Sequence, residues 1–323
     1  YTKKMTNNHD RKVVQILRKV GMTNASKITD TLQGNIWRAS AMIVDHSSQP
    51  APSSVVIKVA DRYLQENKLA KVGNQRVKVA ENILTEAKIM QILSANKDCP
   101  ASIVKFYQFF KTGTDFYLVM EDGGSSLFDF VVKAHDLIRT GKIELSHWQK
   151  VVMLICQQMV ECIEYLHTQN ICHLDISLEN FLINDVTVIK TVEGNSEHIE
   201  FVTDDIQVKL CDFGLAQRFK DDSSLCSKYC GKPNYKSPEV VAKKGKFSAK
   251  KNDIWCVGVC LFMLSFGTAP WKTASPNDDG FKCISNGYLK PVLESWGIVH
   301  YASDDLIDLL GSIFQAESSR VSL

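Results

Sequence analysis

The sequence predicts an α+β protein built in two lobes, and three observations carry that expectation. Strand-length apolar runs gather before Met120, at Ala39–Val44, Ser53–Ala60, Val104–Phe110 and Phe116–Met120. Apolar runs of helical length dominate the remainder, at Trp148–Leu166 and Ile254–Phe266. The chain has 323 residues at 45% hydrophobic content, enough for a sizeable core divided between two lobes.

Along the chain, Asp10–Val20 places Val13, Ile16, Leu17 and Val20 at helical spacing and reads as an amphipathic helix capped near Asn8. The strands Ala39–Val44 and Ser53–Ala60 are split by a Pro/Ser-rich loop, His46–Pro52. Leu64–Ala80 is polar and reads as a surface insertion. The following helix sets Ile83, Ala87, Met90 and Leu93 on one face and carries Glu86. Thr112-Gly113-Thr114 turns the next strand pair. Trp148–Leu166 is too apolar for a surface helix and delivers the chain to His173. Val186–Asp205, rich in acidic residues, reads as an extended surface hairpin, and Leu306–Phe314 is the last clear helix.

A net charge of +2 leaves no large electrostatic footprint for nucleic acid or a membrane surface. No apolar run is long enough to span a bilayer. The ten cysteines include no Cys-x-x-Cys pair, and several sit in apolar runs, so a reduced, cytoplasmic protein is expected. Cys226 and Cys230 share a polar loop and are candidates for redox sensitivity.

The chemistry concentrates in Ile171–Ile183, a polar loop pinned between apolar flanks, where His173, Asp175 and Asn180 form His-x-Asp-x-x-x-x-Asn. A carboxylate to take a hydroxyl proton and an amide oxygen for Mg²⁺ suit phosphoryl transfer, which needs positioning and charge neutralisation more than covalent chemistry. Upstream stands Val55-Val56-Ile57-Lys58; downstream stand Cys211-Asp212-Phe213-Gly214, Ser237-Pro238-Glu239 and Asp253-Ile254-Trp255. In this order, from about Lys27 to Arg320, the chain resembles the eukaryotic protein kinase family.

The resemblance implies an N-terminal extension over 1–26, a small antiparallel-sheet lobe over 27–120, a hinge over 121–124 and a larger, mainly helical lobe over 125–323, whose final helix is expected to be missing. It implies ATP and Mg²⁺ as cofactors and a protein substrate. Asp175 would orient and deprotonate the hydroxyl, and Asn180 and Asp212 would hold Mg²⁺. Lys58 would meet the α/β phosphates, held by Glu86, with Glu66 and Glu81 as competing partners. Ile36, Val56 and Leu182 would enclose adenine, with Met120 behind the nucleotide, Glu121 and Gly123 at the hinge, and Ser126 or Asp129 near the ribose. His173 is expected beneath Phe213, Asp253 on the backbone of the catalytic loop, and Glu239 paired with Arg320.

Several positions depart from the family pattern. The phosphate-covering loop reads Thr29-Asp30-Thr31-Leu32-Gln33-Gly34-Asn35-Ile36 and keeps only its last glycine, Gly34. Leu174 replaces the arginine that pairs with a loop phosphate, and Lys228 falls where the phosphate would be carried, so activity is expected not to need phosphorylation there, although Ser223, Ser224, Ser227 and Tyr229 lie close by. Ser177 and Lys232 look exchanged between two elements that meet beside the catalytic aspartate, and Lys232 is expected to reach Ser177 and Asp175. The loss of glycines keeps open a pseudokinase that binds or scaffolds. A small-molecule kinase also shares His-x-Asp-x-x-x-x-Asn, but Ser-Pro-Glu and Asp253–Trp255 argue for a peptide platform.

Overall fold

The computed structural model describes residues 8–43, 51–72, 75–193, 196–221 and 224–322. Most of the His46–Pro52 loop and Ser223 lie outside them. The chain divides into two compact units, Tyr1–Ala95 with Val104–Asp122, and Asn96–Ile103 with Gly123–Leu323.

The first unit comprises helix α1 (Asn8–Lys19), strands β1 (Thr23–Thr31), β2 (Gly34–Ile43) and β3 (Ala51–Asp61), helix α2 (Arg62–Glu66), strands β4 (Leu69–Val72) and β5 (Gln75–Lys78), helix α3 (Ile83–Ser94), and strands β6 (Phe106–Lys111) and β7 (Asp115–Glu121). Five strands form an antiparallel sheet in the order β1-β2-β3-β7-β6. Alternation along β3 sends Val55, Ile57 and Val59 to one face, where they pack with Trp37, Tyr117 and Val119 against Val13, Val14 and Leu17 of α1. Val20, expected on that stripe, is exposed, because α1 stops at Lys19 and Gly21 turns the chain with φ +85° so that Met22 N–H reaches the Leu17 carbonyl. The other face of β3 presents Val56 and Lys58. Their partners across the sheet are Arg38 and Met120 for Val56, and Ile36 and Leu118 for Lys58. The segment expected to be a polar surface insertion is more integrated than that: α2 and the β4–β5 hairpin bury Leu64, Gln65 and Ala70.

The second unit runs β8 (Ser125–Ser126), α4 (Leu127–Arg139), α5 (Leu145–Thr168), β9 (Ile171–Cys172), β10 (Phe181–Ile183), β11 (Val188–Glu193), β12 (Ser196–Phe201), β13 (Val208–Leu210), β14 (Gln217–Arg218), α6 (Pro238–Ala242), α7 (Ala249–Phe266), α8 (Asp279–Ser285), α9 (Leu289–Ser295) and α10 (Asp304–Ile313). Nearly every residue of α7 is buried, as an all-round apolar helix requires, and α5 packs against it. The acidic insertion is the β11–β12 hairpin, docked by Ile199 and Phe201 of β12. Phe201 meets Phe130, and the Ile199 N–H donates to the Lys142 carbonyl at 2.7 Å. No helix among the described residues is long and apolar enough to cross a membrane.

Candidate active site

The polar loop that follows β9 is braced from below by one carboxylate. Asp253, fully buried on α7, accepts from the backbone N–H of His173 at 2.8 Å and of Leu174 at 2.9 Å. His167 also contacts it at 3.3 Å. With its backbone held by a distant helix, the loop's own side chains are released for other work. The His173 ring packs edge-on against Phe213 at 5.0 Å and meets the Cys211 carbonyl at 3.0 Å, the structural position expected for it.

Asp175 and Asn180 are in direct contact. The Asn180 amide donates to the Asp175 carboxylate at 2.9 Å and to its carbonyl at 2.7 Å. This spends the amide nitrogen and leaves the Asn180 carbonyl oxygen as the atom for a cation. β10 pairs with β13, and the Cys211 N–H donates to the backbone carbonyl of Asn180 at 2.9 Å, which ties the chain entering Asp212 to the loop that holds Asn180. Asp212 takes a left-handed φ of +64°, a conformation that costs a non-glycine residue about 1–3 kcal/mol and clusters at functional sites. An amide oxygen and a carboxylate are hard oxygen donors suited to Mg²⁺. Burial pushes the Asp175 carboxyl above its ordinary range; Lys232, His173 and Asn180 oppose that shift, and Asp212 adds to it.

Lys232 lies where the expected exchange with Ser177 required. Its ammonium donates to Ser177 Oγ at 2.6 Å, and stands 3.5 Å from Asn180 Oδ1 and 3.5 Å from Glu179. Tyr235, buried below, donates to Glu179 at 3.0 Å and holds the same corner. Leu174, with φ +64°, joins an apolar cluster with Cys172, Cys226, Val240 and Phe247, flanked by Phe219, Tyr229 and Cys230. Lys228 donates to the Leu215 carbonyl at 2.8 Å. Burial raises the Cys226 thiol and pushes that of Cys230 up to about 11, which disfavours the thiolate at both. Glu239 and Arg320 form a two-pronged ion pair at 2.6 and 3.1 Å, with Arg320 also stacked 4.7 Å over Trp255.

In the first unit Lys58 meets two carboxylates, Glu86 at 2.8 Å and Glu81 at 2.8 Å. Glu86 is 1% exposed and Glu81 35%, so the expected partner is the buried one, while one of its rivals shares the ammonium. Glu66, the other rival, pairs with Arg62 instead. Ile36, Val56, Lys58 and Met120 lie on one face of the sheet, as the register dictates. Glu121 uses its carboxylate on the Lys105 N–H at 3.1 Å. In the second unit a β-carbon on Gly123 would come within 2.7 Å of Leu182, so these two sit in contact. Ser126 caps α4 by accepting from Asp129 N–H at 3.4 Å.

The turn between β1 and β2 is a tight pair, Leu32-Gln33, closed by Thr31 opposite Gly34. Gly34 survives for a packing reason: any β-carbon there would lie 1.9 Å from the Val59 carbonyl oxygen. Asp30 is neutralised by Lys27 at 2.5 Å. Sequence reasoning did not single out Gln33 and Gln65, which are buried here and hydrogen-bonded to each other. Nothing local in the sequence signalled them, because the two residues are 32 positions apart.

The second unit thus carries a carboxylate–amide pair on a braced loop with a second aspartate tied to it, and the first unit a lysine–glutamate pair on a sheet face. A family model described as "Protein kinase domain" matches residues 52–323, and the chain belongs to that family. It is 28% identical over 246 residues to "Probable serine/threonine-protein kinase MARK-C" of Dictyostelium discoideum, covering 75% of this chain and 26% of that protein. It is 30% identical over 211 residues to the "Carbon catabolite-derepressing protein kinase" of Candida tropicalis, covering 64% of this chain and 28% of the other. To "Serine/threonine-protein kinase polo" of Drosophila melanogaster it is 26% identical over 218 residues, covering 68% and 31%. The chain thus spans between about a quarter and a third of the length of these relatives.

Proposed function

We propose that this protein kinase transfers the γ-phosphate of MgATP to serine or threonine hydroxyls of a protein substrate. The observation that carries the reading is the contact of Asp175 with Asn180 on a loop whose backbone Asp253 holds. Asp175 accepts the substrate hydroxyl proton. Asn180 Oδ1 and the Asp212 carboxylate hold Mg²⁺, which neutralises phosphate charge when bound. Lys58, fixed by Glu86, binds the α/β phosphates. Lys232, anchored on Ser177, supplies a cation beside Asp175 for the transferring group. The ten free thiols, several of them buried, suit a reducing compartment such as the cytoplasm.

A second reading, a pseudokinase that binds nucleotide or partners without turnover, is favoured by the glycine-poor Leu32-Gln33 turn. One experiment separates the two. Phosphate transfer from labelled ATP to a generic protein substrate is measured for wild type and Asp175→Asn, alongside thermal stabilisation by ATP with and without Mg²⁺. Transfer that Asp175→Asn abolishes supports catalysis. Mg²⁺-dependent stabilisation with no transfer supports the pseudokinase, and neither response defeats the nucleotide reading altogether.

A further inference from the structure

We propose that Gln33 and Gln65 form a buried amide relay that couples the β1–β2 turn to the start of α3, making Gln65 a positioning residue for the nucleotide. The nucleotide part rests on the proposed function; the mechanical coupling does not.

The relay is a continuous chain of hydrogen bonds. The Gln33 amide donates to the Leu69 carbonyl at 2.7 Å. The Gln65 amide donates to Gln33 Oε1 at 2.7 Å. Gln65 Oε1 accepts from the Ile83 backbone N–H at 3.0 Å. The Gln33 carbonyl takes the Asp61 N–H at 2.8 Å. The two ends dictate the orientation of both amides, since a carbonyl at Leu69 demands an N–H from Gln33 and an N–H at Ile83 demands an oxygen from Gln65. Gln33 is 5% and Gln65 2% exposed, so water cannot replace a broken link at low cost.

What the relay joins gives it consequence. Ile83 is the first residue of α3, whose leading N–H groups lack helical partners. Asn82 serves those of Leu84 and Thr85, and Gln65 serves that of Ile83. Glu86 follows within that first turn and holds Lys58. At the other end, Gln33 belongs to the turn that stands where the family's phosphate-covering glycines would be. The turn between Thr31 and Gly34 in that loop is thus linked, through Gln65, to the helix that positions the lysine. Local opening of the turn withdraws a partner from α3, and fraying of α3 withdraws one from the turn.

Native-state hydrogen exchange on the unliganded full chain tests the coupling. In wild type the Asp61 and Ile83 amides are expected to open together, with one denaturant dependence; distinct opening free energies overturn the relay without recourse to any variant. Gln65→Met removes both bonds and is expected to lower protection at both amides by about tenfold or more. Gln65→Glu keeps an acceptor for Ile83 but has no N–H for Gln33, so protection should fall at Asp61 and persist at Ile83. An Asp61 amide unmoved in both variants overturns the coupling and leaves only a helix cap. In steady-state kinetics both variants should raise KM for ATP by about fivefold with kcat held within about twofold. An unchanged KM in Gln65→Glu overturns the positioning role. Wild type that binds no nucleotide defeats the proposed function and that role with it, while the exchange data still decide the coupling.

Discussion

The Leu32-Gln33 turn and the His173–Asn180 loop are both short connections, and their side-chain anchors differ. The loop is gripped through its backbone by Asp253, a carboxylate that belongs to another element. The turn is gripped through the side chain of its own residue, Gln33. An external brace leaves loop side chains free to vary, and the loop here carries Leu174 and Ser177 where the family resemblance implies arginine and lysine. A self-anchored turn ties its residue identity to its shape. The family motif therefore remains legible where the anchor is remote and is erased where the anchor is local.

The sharpest way to test that contrast separates chemistry from support within one loop. Asp175→Asn should reduce phosphate transfer by about a thousandfold, within the range for a lost general base. Its melting temperature should hold or rise. The Asp175 carboxyl is raised by burial, so its ionised form at neutral pH is disfavoured in the fold, and a neutral amide relieves that cost. Asp253→Ala should do the reverse in kind, destabilising the fold by about 2–6 kcal/mol in urea denaturation, because two buried N–H groups lose their acceptor at about 1–3 kcal/mol each. Equal stability loss in the two variants would erase the distinction between brace and working residue.

A smaller effect is expected from the exchanged lysine. Lys232→Met should cost about tenfold in kcat, less than a fully buried electrostatic donor would, because its side chain is one-third exposed. Lys232 also favours the ionised Asp175, so its removal must raise that carboxyl further, and the acid limb of the pH–rate profile should move to higher pH. A tenfold loss with an unmoved acid limb would assign the lysine to folding of the segment alone. Glu81→Gln should lower KM for ATP by about fivefold at most, because a pair one-third exposed is worth about 1 kcal/mol or less. Phosphatase treatment should change nothing, since Leu174 sits in an apolar cluster and Lys228 bonds a carbonyl where a phosphate switch would operate; loss of most activity would sink that account.

Much of this architecture was legible residue by residue. A strand-length apolar run located β3, and the structure then set Lys58 on the face opposite Val55, Ile57 and Val59. The unbroken apolar character of Ile254–Phe266 marked α7 as interior. Pairings such as Glu239 with Arg320 came through the family resemblance, since nothing local links residues so far apart. Leu64–Ala80 is exposed over most of its described residues, as its polarity suggested, but Leu64, Gln65 and Ala70 turn inward, which polarity summed over a segment does not register. Val20 was misjudged because apolar periodicity does not register where a helix stops, and Gly21 stopped it.

By itself the chain determined its elements and its inventory of chemical groups, because periodicity and residue type are local properties. Only tertiary structure decided that Lys58 would be shared by Glu81 and Glu86, that Tyr235 would bond Glu179, and that Gln33 would be pinned by Gln65. Each of those pairings depends on where a buried hydrogen-bonding group finds its partner once water has been excluded, and that is settled by packing between segments distant in sequence.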